Sequence, residues 1–210
     1  CVFFNMTTPD ETKRALFQSV EFRQALSLAM DRKKMNDTLF FGLAELHPSA
    51  PGKNMPWYDP SFLNKYYTTY DVNAAGQMLD KLGLDKKDSG GYRLMKNGQR
   101  LSIVALVAPA VSPIFGELLT GDWKKIGVDL IVKSVDSTAM GTLVRESNFE
   151  MVLWNLGRAT LFGRGTPDNW AFRPEDLVRH LWCPAWVSWF GSGGKQGMEP
   201  PKEIKDLNDM

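Results

Sequence analysis

The sequence predicts an α/β domain, a mixed sheet flanked by helices, and three observations carry that prediction. Residues 101–108, 128–135 and 149–154 are short apolar or alternating runs rich in β-branched and aromatic side chains, the pattern of strands. Between them lie amphipathic segments closed by glycine, such as residues 113–126 with Gly127. Strand, helix, strand, helix, strand in that order describes βαβ units, so the three strands are expected in one sheet that is at least partly parallel, with 101–108 central.

The preceding chain supplies one more strand and several helices. Residues 2–5 read as a strand, followed by turn-prone Thr7, Thr8, Pro9 and Asp10 and a polar stretch to Ser19. Ser19 caps a helix that buries Phe22, Leu26 and Ala29, and Asp31 caps a second that carries Met35 and Leu39 and stops at Gly42. Residues 47–60, HPSAPGKNMPWYDP, are too rich in proline for regular structure and form a loop that offers Trp57 and Tyr58. Asp71 caps a helix with an Ala74, Ala75, Met78, Leu79, Leu82 stripe that ends at Gly83. A polar turn, DKKDSGG, leads into a hairpin over 92–95 with its turn at Lys96-Asn97-Gly98-Gln99, where Asn-Gly supplies the positive φ angles. Asp136 and Ser137 cap a helix through Val144 with Met140 and Leu143 inward. Pro174 opens a helix through Leu181, residues 182–197 are expected to be irregular, and 202–210 begin an amphipathic helix.

Composition narrows the function. Lys and Arg total 25 against 24 Asp and Glu, so nothing marks the basic face that nucleic acid requires. The longest apolar runs fall short of the roughly 20 residues of a membrane-spanning helix. His47 and His180 are the only histidines and share no zinc-type spacing, and DKKDSGG lacks the spaced oxygens of a calcium loop. Neither a metal nor a cofactor is therefore expected. No nucleophile elbow, P-loop or dinucleotide fingerprint occurs, and a binding protein rather than an enzyme is expected. Cys1 and Cys183 are open to a disulfide, to two free thiols, or to partners outside these 210 residues.

The site is placed by the strand at 149–154. Ligands of open α/β sheets collect beyond the carboxyl ends of strands, which puts Trp154, Asn155 and Arg158 at a rim. Asp168 and Trp170 follow in the Gly- and Arg-rich segment, and Trp182, Trp186 and Trp189 add aromatic surface. Two other readings use the same region: a hydrolase built on Asp168 or His180, and an interaction module whose Trp-rich end docks on a protein.

Three segments in order, FRQALSLAMDRKKM from Phe22, DVNAAGQMLDKLGL from Asp71 and DWKKIGVDLIVKSVDSTAMGTLVRESNFEMVLWN from Asp122, resemble the extracellular solute-binding proteins of the dipeptide and oligopeptide ABC importer type, solute-binding family 5. The resemblance implies a two-lobed periplasmic-binding-protein-like receptor that passes its solute to a membrane ABC permease. By it, residues 1–210 are one lobe, the second, with 1–5 a hinge strand, 202–210 the start of a truncated helix, and an N-terminal lobe missing. It further implies a periplasmic or extracellular location, with a membrane anchor ahead of residue 1 left open. The ligand is a peptide, an oligosaccharide or another polar small solute, and the contacts implied are Trp154, Asn155, Arg158, Asp168 and Trp170. In peptide-binding relatives the matching strand is followed by a tryptophan, which Trp154 matches, and then by an acid that pairs with the peptide's amino end. Arg158 stands about where that acid belongs. Either the ligand is not held by a free ammonium, or Asp168 supplies the charge.

Overall fold

The computed structural model describes residues 1–44, 61, 67–108, 111–154 and 181–209. Its centre is a four-stranded sheet in the order β1-β4-β2-β3, formed by β1 (Val2–Phe4), β2 (Ser102–Val107), β3 (Asp129–Ser134) and β4 (Met151–Leu153). β2 pairs in parallel with both β3 and β4, and β1 runs antiparallel to β4. The mixed sheet, its helical flanks and the central place of β2 are as the sequence predicts.

Helix α5 (Pro113–Lys125) connects β2 to β3, and α6 (Ser137–Arg145) returns from β3 across β2 to β4. Right-handed crossovers running in opposite directions put these two helices on opposite faces of the sheet. Gly116 lets α5 sit close, since a Cβ there would come within 2.9 Å of Val132 Cγ1. Met140 and Val144 of α6 are buried in the same core as Trp123, Leu119, Ile103, Met151 and Leu153. The parallel strands therefore end along one edge, with α5 and α6 starting there.

Beside the sheet pack α1 (Glu11–Gln18), α2 (Val20–Leu28), α3 (Arg32–Phe40) and α4 (Val72–Lys81). Ser19, Asp31 and Asp71 cap α2, α3 and α4 by accepting from Phe22 N, Lys34 N and Ala74 N, as their positions predict. Helix α1 corrects the reading of 11–18 as a polar stretch. It is capped by Asp10 and buries only Phe17, so it lacks the repeated apolar spacing that would have announced it. Phe17 nonetheless packs against Phe4, with ring centroids 5.1 Å apart.

Three local expectations change. The hairpin at 92–95 reduces to isolated bridges, Lys87 with Arg93 and Leu94 with Arg100, because Arg93 N donates instead to Gly127 O at 2.7 Å. In its turn only Gly98 takes a positive φ, of 79°, while the Asn97 side chain accepts from Gln99 N. The strand at 149–154 shortens to Met151–Leu153 because side chains replace ladder bonds at its start. Asn5 Nδ2 donates to Phe149 O at 3.0 Å, and Glu150 Oε2 accepts from Val104 N at 2.8 Å. DKKDSGG is the polar turn expected, with Asp88 accepting from Gly90 N, Tyr92 N and Arg100 Nε.

Residues 182–197 are not irregular throughout: α7 (Pro184–Gly191) lies within them, started by a proline at its first position. Apart from Ser188 its residues are apolar or small all round the helix, which hides its period. It forms a small second core of Cys183, Trp186 and Val187 with Met6, Trp182, Met198 and Ile204, closed by α8 (Lys202–Asp209). A buried polar knot ties this core to the sheet. Asn5 Nδ2 also donates to Ser147 O, Asn5 Oδ1 accepts from Thr7 N and Oγ1, and Thr7 Oγ1 accepts from Ala185 N. Ser147 takes a φ of 55° within the knot.

Both cysteines are free, Cys1 exposed and Cys183 buried, so the two are not joined to each other. Burial pushes the Cys183 thiol well above its ordinary pKa, and the thiolate is the reactive form. Iodoacetamide followed by peptide mapping is therefore expected to label Cys1 in the native protein and Cys183 only after denaturation. Labelling of both at equal rates would contradict the buried position.

Candidate functional site

The candidate site is the edge where the parallel strands end. Ser134, Val107, Leu153 and Val2 lie level across the sheet, since the register pairs Val107 with Ser134 and Leu153, and Leu153 with Val2. One residue further, Trp154 N donates to Cys1 O at 3.1 Å and Trp154 O accepts from Cys1 N at 2.7 Å. That last pair of the β1–β4 ladder holds the Trp154 backbone. Its side chain is half-buried and packs in part on the core.

The connections after β2 and β3 depart to opposite faces, so the carboxyl ends of these two neighbours form a switch point, the crevice where open α/β sheets bind ligands. Ser112 and Asp136 stand on its two sides as the N-caps of α5 and α6. Asp136 Oδ1 is engaged by Thr138 N at 2.8 Å and Ala139 N at 2.9 Å. Ser112 makes no side-chain cap bond, is exposed, and has no side-chain hydrogen bond among the described residues. Ile114, in the first turn of α5, is 46% exposed and adds apolar surface next to it. Among the described residues the edge thus offers a half-buried indole, an exposed hydroxyl and an apolar shoulder, groups suited to stacking and hydrogen bonding.

Of the residues the sequence nominates, Trp154 is at this edge, and Asn155, Arg158, Asp168 and Trp170 lie outside the described residues, as do His47, Trp57, Tyr58, Pro174 and His180. Sequence reasoning missed Ser112 and Asp136. The rule that selected Trp154, applied to the ends of the strands at 101–108 and 128–135, would have found both.

The Trp-rich end turns inward. Trp186 is buried and meets Trp182 edge-on at 6.0 Å, and Trp189 lies against Phe190 and under Lys205 Nζ. These contacts remove the motive for a protein-docking surface built on Trp182 to Trp189. Among the described residues no group of His, Cys, Asp and Glu could hold a metal ion, and no helix is long and apolar enough to cross a membrane.

Comparison with known proteins gives the family. Residues 1–174 match the family model described as bacterial extracellular solute-binding proteins, family 5 Middle. A probable ABC transporter-binding protein of Deinococcus radiodurans is 31% identical over 144 residues, 67% of this chain and 24% of that protein. The periplasmic alpha-galactoside-binding protein of Rhizobium meliloti is 28% identical over 138 residues, 61% of this chain and 20% of that protein. The solved structure of an oligopeptide-binding protein, OppA, superposes with a TM-score of 0.84 at 28% identity, covering 99% of this chain and 34% of that one. The chain thus spans a quarter or less of these two curated relatives, and about a third of the solved one. With the family model matching most of its length, the chain belongs to the bacterial extracellular solute-binding proteins of family 5.

Proposed function

We propose that this chain is one lobe of the solute-binding component of an ABC importer and supplies one wall of the ligand cleft. The carrying observation is the convergence of Trp154, Ser112 and the switch point between β2 and β3 on one edge, within a match to family 5 over residues 1–174. Residues 1–5 act as a hinge strand, and a second lobe closes on the rim to bury the solute before a membrane permease receives it outside the cytoplasm. The role is binding without chemistry.

Two ligand classes compete, and relatives of both kinds support them: one is named for oligopeptides and one for alpha-galactosides. Arg158 in place of an acid favours a solute that is not gripped by a free ammonium group, because a guanidinium there repels an α-amino cation. Asn155, Asp168 and Trp170 complete the proposed contact set. A melting screen of the intact protein against separate oligopeptide and α-galactoside pools tests the reading, since a bound ligand raises the melting temperature by mass action. A rise with one pool and not the other assigns the class. No rise with either overturns the proposal.

A further inference from the structure

A cleft lies between α4 and the C-terminal end of α5, lined by Val72, Asn73, Gly76, Gln77, Asp80 and Arg93 among others, with a cavity volume of about 360 Å³. It is remote from the rim, because Arg93 N is tied to Gly127 O just before β3 begins, at the amino edge of the sheet. Asn73, Gly76, Gln77 and Asp80 form a single stripe of α4 by their i, i+3, i+4, i+7 spacing. The floor is Arg93, 3% exposed. Its Nε donates to Ile126 O, Nη1 to Asp80 Oδ1 and Leu84 O, and Nη2 to Gly76 O. A guanidinium has five N–H groups, so one on Nη2 remains without an acceptor among the described residues.

Gly76 leaves that nitrogen uncovered, since a Cβ there would sit 3.6 Å from Arg93 Nη2. The Lys125 ammonium stands on one wall, held by Asp122 Oδ1 and Tyr70 Oη at 2.8 Å each. The hydrogen bonds to Asp122 and then Tyr70 raise its pKa, so it stays charged at neutral pH. Lys87 lies at the mouth, and its ammonium, like the side-chain amides of Asn73 and Gln77, has no partner among the described residues. Three cations thus line the cleft against one lining carboxylate, Asp80, with Asp122 behind Lys125.

We propose that this cleft is a second binding site, for a small oxyanion such as a phosphate or a carboxylate, that takes donors from Arg93 Nη2, Lys87 and the two amides. Donors converge there from a planar guanidinium, a mobile ammonium and neutral amides, the set that recognises oxyanions. It is independent of the solute cleft.

The test is calorimetric titration of the intact protein with inorganic phosphate, against sodium chloride at matched ionic strength. Phosphate is expected to bind and to raise the melting temperature where chloride does not. Lys87→Ala, at an exposed position, should weaken phosphate roughly tenfold by removing one charge-assisted bond. Gly76→Ala fits at ordinary contact distance and favours the helix, so it should fold, melt no lower than the parent and lose the phosphate response. Equal effects of phosphate and chloride would overturn the proposal. So would an unchanged phosphate response in both variants, the behaviour of an adventitious ion only.

Discussion

Replacing Arg93 with methionine is expected to lower stability by about 3–5 kcal/mol, the typical cost of removing one member of a buried, charge-assisted network. The guanidinium is 3% exposed and joins α4 through Gly76 O and Asp80, the turn after α4 through Leu84 O, and the end of α5 through Ile126 O. Methionine fills much of the volume but leaves the buried carbonyls of Leu84 and Ile126 without this donor and takes a second donor from Gly76 O. Asp80 is the informative control. Its side chain is 52% exposed, so Asp80→Asn leaves the carbonyl bonds intact and should cost less than about 1 kcal/mol. Urea denaturation of the two variants measures the difference. Equal losses would place the stabilisation in the ion pair and not in the carbonyl network.

Replacing Trp154 with alanine is expected to weaken solute binding by about 2 kcal/mol or more, roughly thirtyfold, as for a tryptophan at the centre of a desolvated contact. Its backbone is fixed by the pair with Cys1, so its side chain starts from a constant place along the rim. Part of the ring also packs on the core, and Trp154→Ala should lower the melting temperature as well. Trp154→Phe separates the two effects. It keeps an aromatic face and most of the packing, and should retain affinity within about tenfold. Affinity unchanged in both variants, measured by calorimetry with the ligand class that the melting screen selects, would remove Trp154 from the site.

Much of the fold was legible because the signals were local and strong. Ser19, Asp31, Asp71 and Asp136 each cap the helix they were expected to cap, and Gly83 and Gly127 follow helix ends with φ of 79° and 78°. The misreadings share a different cause. Helix α1 rests on one anchor, Phe17, and α7 is apolar on every side, so neither shows a contrast between faces. The truncation of β4 depends on Asn5 and Glu150, whose partners are about 140 and 46 positions away, beyond the reach of any window. At the site, Trp154 was legible from strand direction alone. Ser112 and Asp136 follow from the same rule applied to the ends of β2 and β3, and the sheet order adds that these ends are neighbours.

Hydrogen exchange of the intact protein, with and without the ligand class found by the melting screen, tests the central claim most directly. The account predicts slowed exchange on binding at the carboxyl edge, in 111–116, 134–136 and 153–154, with no change at the Asn5, Thr7 and Ser147 knot beneath it. Protection confined to the knot or to α7, with the carboxyl edge unaffected, would contradict a cleft wall built on the ends of β2, β3 and β4.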